Sequence, residues 1–322
     1  MSPAPRARTA GPGARATHVR SLQGPAAQSL GAEIVRGDLK DRASLDQACR
    51  GAATVISTAS TTLSRQPDDS IGGVDQDGQM QLVDAARNAR MGQFVYVSFS
   101  GSFEIDCPLR TAKRSVERHL QRSGLTYTIL RPSVFMEVWL SPALGFDFTK
   151  GAAQIFGTAK QPISWISLSD VAEFAVTCVG HAAARNALIG LGGPEALSPE
   201  DVVRTFEEVT GRHFDTQHVA ETALQEQWRV AADPLQADDL GATNIVMQAT
   251  VSTAAYGCCT ILLPFRNFIA HQNATALVAD PTTISPVVNP VRAFRSTTWI
   301  MLTLMPLVVT PLPVGVCSLS TT

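Results

Sequence analysis

The residues best placed to do chemistry lie in one run, Lys113–Phe135, KRSVERHLQRSGLTYTILRPSVF. Lys113 falls on a segment with helical spacing that stops at Gly124. Tyr127–Leu130 then reads as a buried strand, with Arg131-Pro132 at its carboxyl end. Ligands of open α/β sheets bind outside the carboxyl ends of the strands, so this run sets an ammonium group and a strand end on one side of a ligand crevice. Such a lysine is a candidate for ligand contact or proton transfer. By periodicity alone it is a surface lysine paired with Glu117 four residues on. Ser98 and Ser100 close another apolar strand, Phe94–Val97, where by type they read as ordinary turn serines. No G-x-S-x-G elbow accompanies them, which speaks against a Ser/His/Asp hydrolase.

The elements that must position these residues alternate strand and helix signals over residues 17–235, the pattern of βαβ units on a parallel sheet. His18–Leu22 is a short strand candidate, Pro25–Leu30 a helical stub and Ala32–Arg36 an apolar strand ending near Asp38. Asp41 caps a helix running to Gly51. Ala53–Ser57 is a strand that ends in Thr58, Ala59 and Ser60. Asp75–Arg90 is a helix with Leu82, Val83 and Ala86 on one face. After the Lys113 run, Gly151–Ile166 looks like hairpin or loop material, and Ser169 caps the helix holding Val171, Phe174 and Cys178. Ala187–Leu191 is a strand. Ser198-Pro199-Glu200-Asp201 is a strong helix start, with a capping serine, proline at the first helical position and an acid three residues after the cap.

Composition narrows the class. The 322 residues suffice for one large α/β domain or two, and 45% hydrophobic content supports a core. A formal charge of −2 gives no basic footprint, so nucleic acid is not an expected partner. The six cysteines show neither C-x-x-C nor Cys/His spacing, and the pattern reads as reduced thiols in a cytoplasmic protein without a metal site. His213 and His218 read as surface groups. Residues 1–16 are a Pro-, Gly-, Ala- and Arg-rich lead-in expected to be disordered. Residues 236–322 carry only Asp238, Asp239, Asp280, Arg266, Arg292 and Arg295 as formal charges. Their last stretch, 296–322, has none, but Pro306, Pro311, Pro313 and Gly315 interrupt it, so a poorly ordered or sheet-seeking tail is expected over a membrane span.

In order and spacing, GAEIVRGDLKDRASLDQACRG (31–51), TVISTAS (54–60), QFVYVSFSG (93–101), the Lys113 run, WISLSDVAEFAV (165–176) and IGLGGPEALSPEDVVRTFEEVTGR (189–212) resemble the NmrA-like family of atypical short-chain dehydrogenases/reductases. The resemblance covers about residues 18–235. It implies a Rossmann-type, doubly wound parallel sheet with a small C-terminal substrate-side portion at about residues 150–235. It also implies an NAD(P)-binding protein: an oxidoreductase acting on a small carbonyl or alkene substrate, or a non-catalytic redox-sensing regulator or assembly factor that binds a protein partner. On this resemblance Lys113 contacts the ribose or nicotinamide side and is the one catalytic candidate. Ser98, Pro132, Val134 and Phe135 lie near the nicotinamide or substrate, and Thr58, Ala59 and Ser60 let the cofactor approach the backbone. Asp38 and Leu39 lie beside the adenine, and Arg20 meets the 2′-phosphate of NADP, which tilts the cofactor from NAD towards NADP.

Two departures from the family pattern shape the expectations. No apolar strand and glycine-rich turn precede His18, and that turn normally holds the pyrophosphate. The first strand lies centrally in such a sheet, so its absence predicts one of three outcomes: Ala53–Ser57 pairs directly with His18–Leu22, a tail segment such as Ile300–Leu304 fills the gap, or the chain is unstable. Dinucleotide binding is expected to be weak. Secondly, Leu109 stands where a Tyr-x-x-x-Lys motif would place its tyrosine.

Overall fold

The computed structural model describes residues 15–17, 33–35, 37–61, 69–101, 107–220, 222–223, 226, 269 and 299–302. Its main sheet has seven strands, all parallel: β1 (Arg15–Thr17), β2 (Glu33–Val35), β3 (Thr54–Ser57), β4 (Gln93–Val97), β5 (Tyr127–Pro132), β10 (Ala187–Leu191) and β13 (Trp299–Leu302). The spatial order is β10-β5-β4-β3-β13-β1-β2. The remaining strands are β6 (Val134–Phe135), β7 (Phe146–Asp147), β8 (Ala152–Phe156), β9 (Ile163–Ile166), β11 (Ala196–Leu197) and β12 (Asp215–Val219), which form two small sheets.

The gap left by the expected missing strand is filled by the second of the three routes. β13 lies between β1 and β3, pairing Trp299 with Thr54 and Leu302 with Ser57 on one side and Ile300 with Arg15 on the other. The first strand begins at Arg15, within the segment read as a lead-in, and pairs with β2. The segments read as His18–Leu22 and Pro25–Leu30, Arg20 among them, lie outside the described residues.

The sheet is covered on both faces because its strands alternate. Val55, Phe94, Tyr96 and Ile129 point into a cluster with Leu45, Leu82, Val83, Val116 and Leu120. Their neighbours Ile56, Val95 and Leu130 point the other way, against Ile166, Val171, Ala175 and Leu191. The first face is covered by α1 (Arg42–Cys49), α2 (Gln79–Asn88) and α3 (Pro108–Arg122), the second by α5 (Leu168–Thr177). Each fully buried side chain of this size contributes about 1.5–3 kcal/mol.

Helix boundaries follow their caps. Asp41 accepts from the Ala43 N–H at 3.0 Å, and Ser198 and Asp201 form a reciprocal capping box at the start of α6 (Pro199–Thr210). Gly124 ends the α3 region with φ +82°, a left-handed conformation that side chains resist. Three expectations shift. The cap of α5 is Ser167, not Ser169, because the Ser167 hydroxyl accepts from the Asp170 N–H. The stretch 151–166 is not one hairpin: β8 pairs with β7 and β12, while β9 pairs with β6 and β11. The helix expected from Asp75 opens as a π-helix, Ile71–Gly78, before α2 begins.

Beside the main sheet, Phe146, Phe206, Phe214, Trp165 and Val202 pack a second core with the short helix α4 (Met136–Trp139). Ile269, from the low-charge tail, is fully buried in it. Among the described residues no helix is long and apolar enough to cross a membrane. None of their His, Cys, Asp and Glu side chains group to hold a metal.

Candidate ligand site at the strand ends

Because the strands are parallel, the ends of β3, β4 and β5 open on one edge, and the segments that follow them converge there. The loop after β3 is stitched to the π-helix and α2. Ser57 donates to Gln79 Oε1 at 2.7 Å, and Gln79 Nε2 donates to the Ala59 carbonyl at 2.9 Å. The backbone N–H and hydroxyl of Thr61 donate to Asp75 Oδ2 at 3.0 and 2.6 Å. The π-helix matters here: single π turns recur at functional sites, and this one carries Asp75 to a fully buried position. It also ends in Gly78, where a Cβ would stand 2.8 Å from Leu39 Cβ and 2.9 Å from the Leu39 carbonyl. Only glycine permits that approach, which draws the Asp38-Leu39 turn against the π-helix.

Lys113 lies within this frame, 5% exposed. Its Nζ stands 3.3 Å from Asp75 Oδ1, 3.4 Å from the Ala59 carbonyl oxygen and 5.3 Å from the Tyr96 ring centroid. The expected surface pair with Glu117 does not form. Lys113 is turned into the sheet end, and its counter-charge comes from another element. An ammonium buried without a partner is strongly unfavourable, so Asp75 is what allows Lys113 to sit there. Tyr96 is fully buried beneath it. Burial first, and then the charges of Asp75 and Glu117, push its phenol well above its ordinary value, which keeps it neutral and unsuited to proton transfer.

A second buried carboxylate organises the ends of β4 and β5. Glu117 Oε1 accepts from Ser98 at 2.6 Å, Arg114 at 2.6 Å and Arg131 Nε at 3.0 Å, and Oε2 accepts from Arg131 Nη2 at 2.5 Å. Burial opposes its charge. The Arg131 and Ser98 hydrogen bonds with the two guanidinium charges outweigh that and hold the carboxyl below its usual range. Arg114 also donates to the Phe99 and Ser100 carbonyls at 3.0 and 2.6 Å. It thereby pins the segment after β4.

The residues expected from sequence are partly brought together. Thr58, Ala59, Ser60, Ser98 and Lys113 all lie at the β3 and β4 ends, but the Ser98 hydroxyl is already committed to Glu117. Pro132 ends β5. Val134 is 2% exposed in the second core, and Phe135 packs against α5's cluster. Asp38 is exposed and accepts from the Lys40 N–H at 2.8 Å, holding a local turn. Trp139 lines an apolar cavity of about 70 Å³ with Phe146, Trp165 and Val202, while Met136 is buried core. Sequence reasoning missed Asp75 and Gln79. The available signal was two polar residues continuing the buried stripe of Leu82, Val83 and Ala86 at helical spacing.

Four buried side-chain polar atoms lack a hydrogen-bond partner among the described residues: Asp75 Oδ1, Tyr96 Oη, Arg110 Nε and Ser133 Oγ. All four belong to residues at or just beyond the carboxyl edge of the sheet. Such groups are rare in folded proteins and ask for an explanation. A ribose and a nicotinamide, rich in hydroxyl and amide groups, suit this edge and its small Ala59 and Ser60. The diphosphate is less well served. β13 occupies the central strand position, and Thr303-Leu304-Met305-Pro306 follows it in sequence where a glycine turn would be needed.

The sequence profile described as the NmrA-like family matches residues 16–240. Curated relatives include the Photosystem II assembly factor Ycf39 of Trieres chinensis, 26% identical over 184 residues, 56% of each chain. Another is a (4-alkanoyl-5-oxo-2,5-dihydrofuran-3-yl)methyl phosphate reductase of Streptomyces griseus, 28% identical over 58% of this chain and 61% of the relative. The chain thus spans under two thirds of the length of these relatives. Among solved structures, the Citrobacter sp. triphenylmethane reductase complexed with NADP(H) superposes with a TM-score of 0.63 at 17% identity, covering 80% of this chain and 89% of that one. An NADPH-dependent quinone oxidoreductase from Escherichia coli gives 0.61 at 18% identity, covering 82% and 92%. At these identities the solved structures establish a shared Rossmann-type fold.

Proposed function

The chain belongs to the NmrA-like family, and on that premise we propose that it binds NAD(P)(H) at the ends of β3, β4 and β5 and reduces a small carbonyl or alkene substrate. The observation that carries this reading is Lys113, a buried ammonium held at the strand edge by Asp75 and the Ala59 carbonyl. Lys113 would hold the nicotinamide ribose through its hydroxyls. Thr58, Ala59 and Ser60 would admit it to the backbone, and Pro132, Val134 and Phe135 would border the nicotinamide and substrate. The nicotinamide, when bound, supplies a hydride. NADP is favoured over NAD because several of the solved neighbours are complexes with NADP(H) or NADPH. Affinity is expected to be modest, since no glycine turn follows the central strand. On this reading the protein acts in the cytoplasm.

A second reading is a non-catalytic regulator or assembly factor that binds a protein partner. It is favoured by Leu109, an apolar residue in the place of the tyrosine, packed against the second core. Titration of the purified chain with NADPH and NADH, followed by NADPH oxidation with quinone, aldehyde and enone acceptors, tests both. Saturable NADPH binding with turnover supports the reductase. Binding without turnover on any acceptor supports the regulator. A folded chain that binds neither nucleotide contradicts the reductase and leaves the partner-binding reading.

A further inference from the structure

Arg110, Lys113, Arg114 and Glu117 share one face of α3 at i, i+3, i+4 and i+7. Read along this face, three of the four are neutralised. Lys113 faces Asp75, and Arg114 and Glu117 face one another with Arg131. Arg110 has no ion pair among the described residues, and its Nε is buried without an acceptor. It lies in the first turn of α3, the end of the helix nearest the carboxyl edge of the sheet. Its neighbours Cys107 and Leu109 pack into the same cluster as Val134 and Met136. Ser133 Oγ is likewise buried and without a partner. Among the described residues, four cations, Arg110, Lys113, Arg114 and Arg131, thus meet two carboxylates, Asp75 and Glu117. Glu117 is saturated by Ser98, Arg114 and Arg131, and Asp75 faces Lys113 and Thr61. The excess positive charge is close enough to be felt within the cluster: after burial and the opposing pull of Glu117, the charges of Arg131 and Arg110 help lower Arg114.

We propose that Arg110 binds an oxyanion, a phosphate or carboxylate carried by the ligand of this edge. A guanidinium offers paired donors that match such groups in planar, charge-assisted geometry. The desolvated Nε gains an acceptor only when the anion arrives. The assignment rests on the reading of the strand edge as the ligand site. It gives that reading a substrate class: a small carbonyl or alkene compound bearing a phosphate or carboxylate. The same chemistry could instead meet a phosphate of the dinucleotide.

The test uses the full chain and inorganic phosphate as probe, compared with chloride at equal ionic strength. Wild type should bind phosphate saturably. Arg110→Gln should bind it about tenfold more weakly. Arg118→Gln, which removes an equal charge from the exposed side of the same helix, should bind as wild type does. In chloride alone Arg110→Gln should be as stable as wild type, because among the described residues no protein acceptor is lost. Arg110→Lys should recover part of the phosphate affinity. A parallel NADPH titration assigns the anion's source. Unchanged NADPH affinity in Arg110→Gln places the anion on the substrate, and an equal loss places it on the dinucleotide. Phosphate binding at Arg110 in a chain that binds no NADPH would overturn the cofactor reading and leave the anion site standing. Phosphate acting no differently from chloride, equal phosphate affinity in Arg110→Gln, or destabilisation of Arg110→Gln in chloride would overturn the proposal.

Discussion

Asp75 and Glu117 are both buried carboxylates that face cations of α3, and they are satisfied in different ways. Glu117 accepts four hydrogen bonds from three side chains belonging to α3, β5 and the segment after β4. Asp75 accepts two, both from Thr61 on one oxygen. Its other oxygen meets Lys113 only as an ion pair at 3.3 Å. A saturated carboxylate locks elements together, because removing it strands several desolvated donors at once. A half-satisfied one holds a neighbouring ammonium in place while leaving part of its hydrogen-bonding capacity for something else. The edge of this sheet therefore has a fixed side, at the ends of β4 and β5, and an exchangeable side, at the end of β3.

The largest expected effect breaks the fixed side. Glu117→Gln leaves two half-buried guanidinium groups without their buried counter-charge and should cost about 3–5 kcal/mol of stability, read from urea unfolding, with NADPH affinity in the remaining folded protein unchanged. A loss under 1 kcal/mol would remove the distinction between the two carboxylates. The same residue sets a pH dependence. The folded carboxyl has a lowered pKa, so the unfolded chain binds its proton more tightly. Its contribution is fully present above the unfolded value of about 4.3 and is lost as pH falls through the folded value. Wild type should lose this stability at acid pH, and Glu117→Gln should show a shallower acid limb. Asp75→Asn should cost less, about 1–3 kcal/mol, because an amide oxygen can still accept from Thr61. It should nevertheless weaken NADPH about tenfold by releasing Lys113. An Asp75→Asn variant as unstable as Glu117→Gln, with wild-type affinity, would reverse the assignment.

Much of the fold was legible because it is local. β3, β4, β5 and β10 are apolar runs bounded by turn residues, and α1 and α6 announce themselves through Asp41 and Ser198. The central strand was legible only as a need. Sheet topology demanded a strand beside β3, but nothing local marks Trp299–Leu302 over other apolar stretches of the tail, and its partners lie at the far end of the chain. The π-helix escaped because its glycines and polar residues do not repeat as an α-helix does; its register is set by contacts with Leu39, Thr61 and Lys113. At the site, Lys113 and the strand-end residues followed from position in the fold. Lys113 was open to a surface pairing with Glu117, since spacing along one helix reports which residues are near but not which partner a third element supplies. Asp75 and Arg131 are those suppliers, and both act across sequence separations that no local pattern encodes.

The claim that most depends on this geometry is that Lys113 receives the nucleotide. Calorimetric titration of wild type and Lys113→Met with NADPH measures it directly, with urea unfolding confirming that both are folded. The account predicts saturable binding by wild type and affinity at least about tenfold weaker in the variant. Equal affinity in the two proteins would show that the buried ammonium is a structural partner of Asp75 alone.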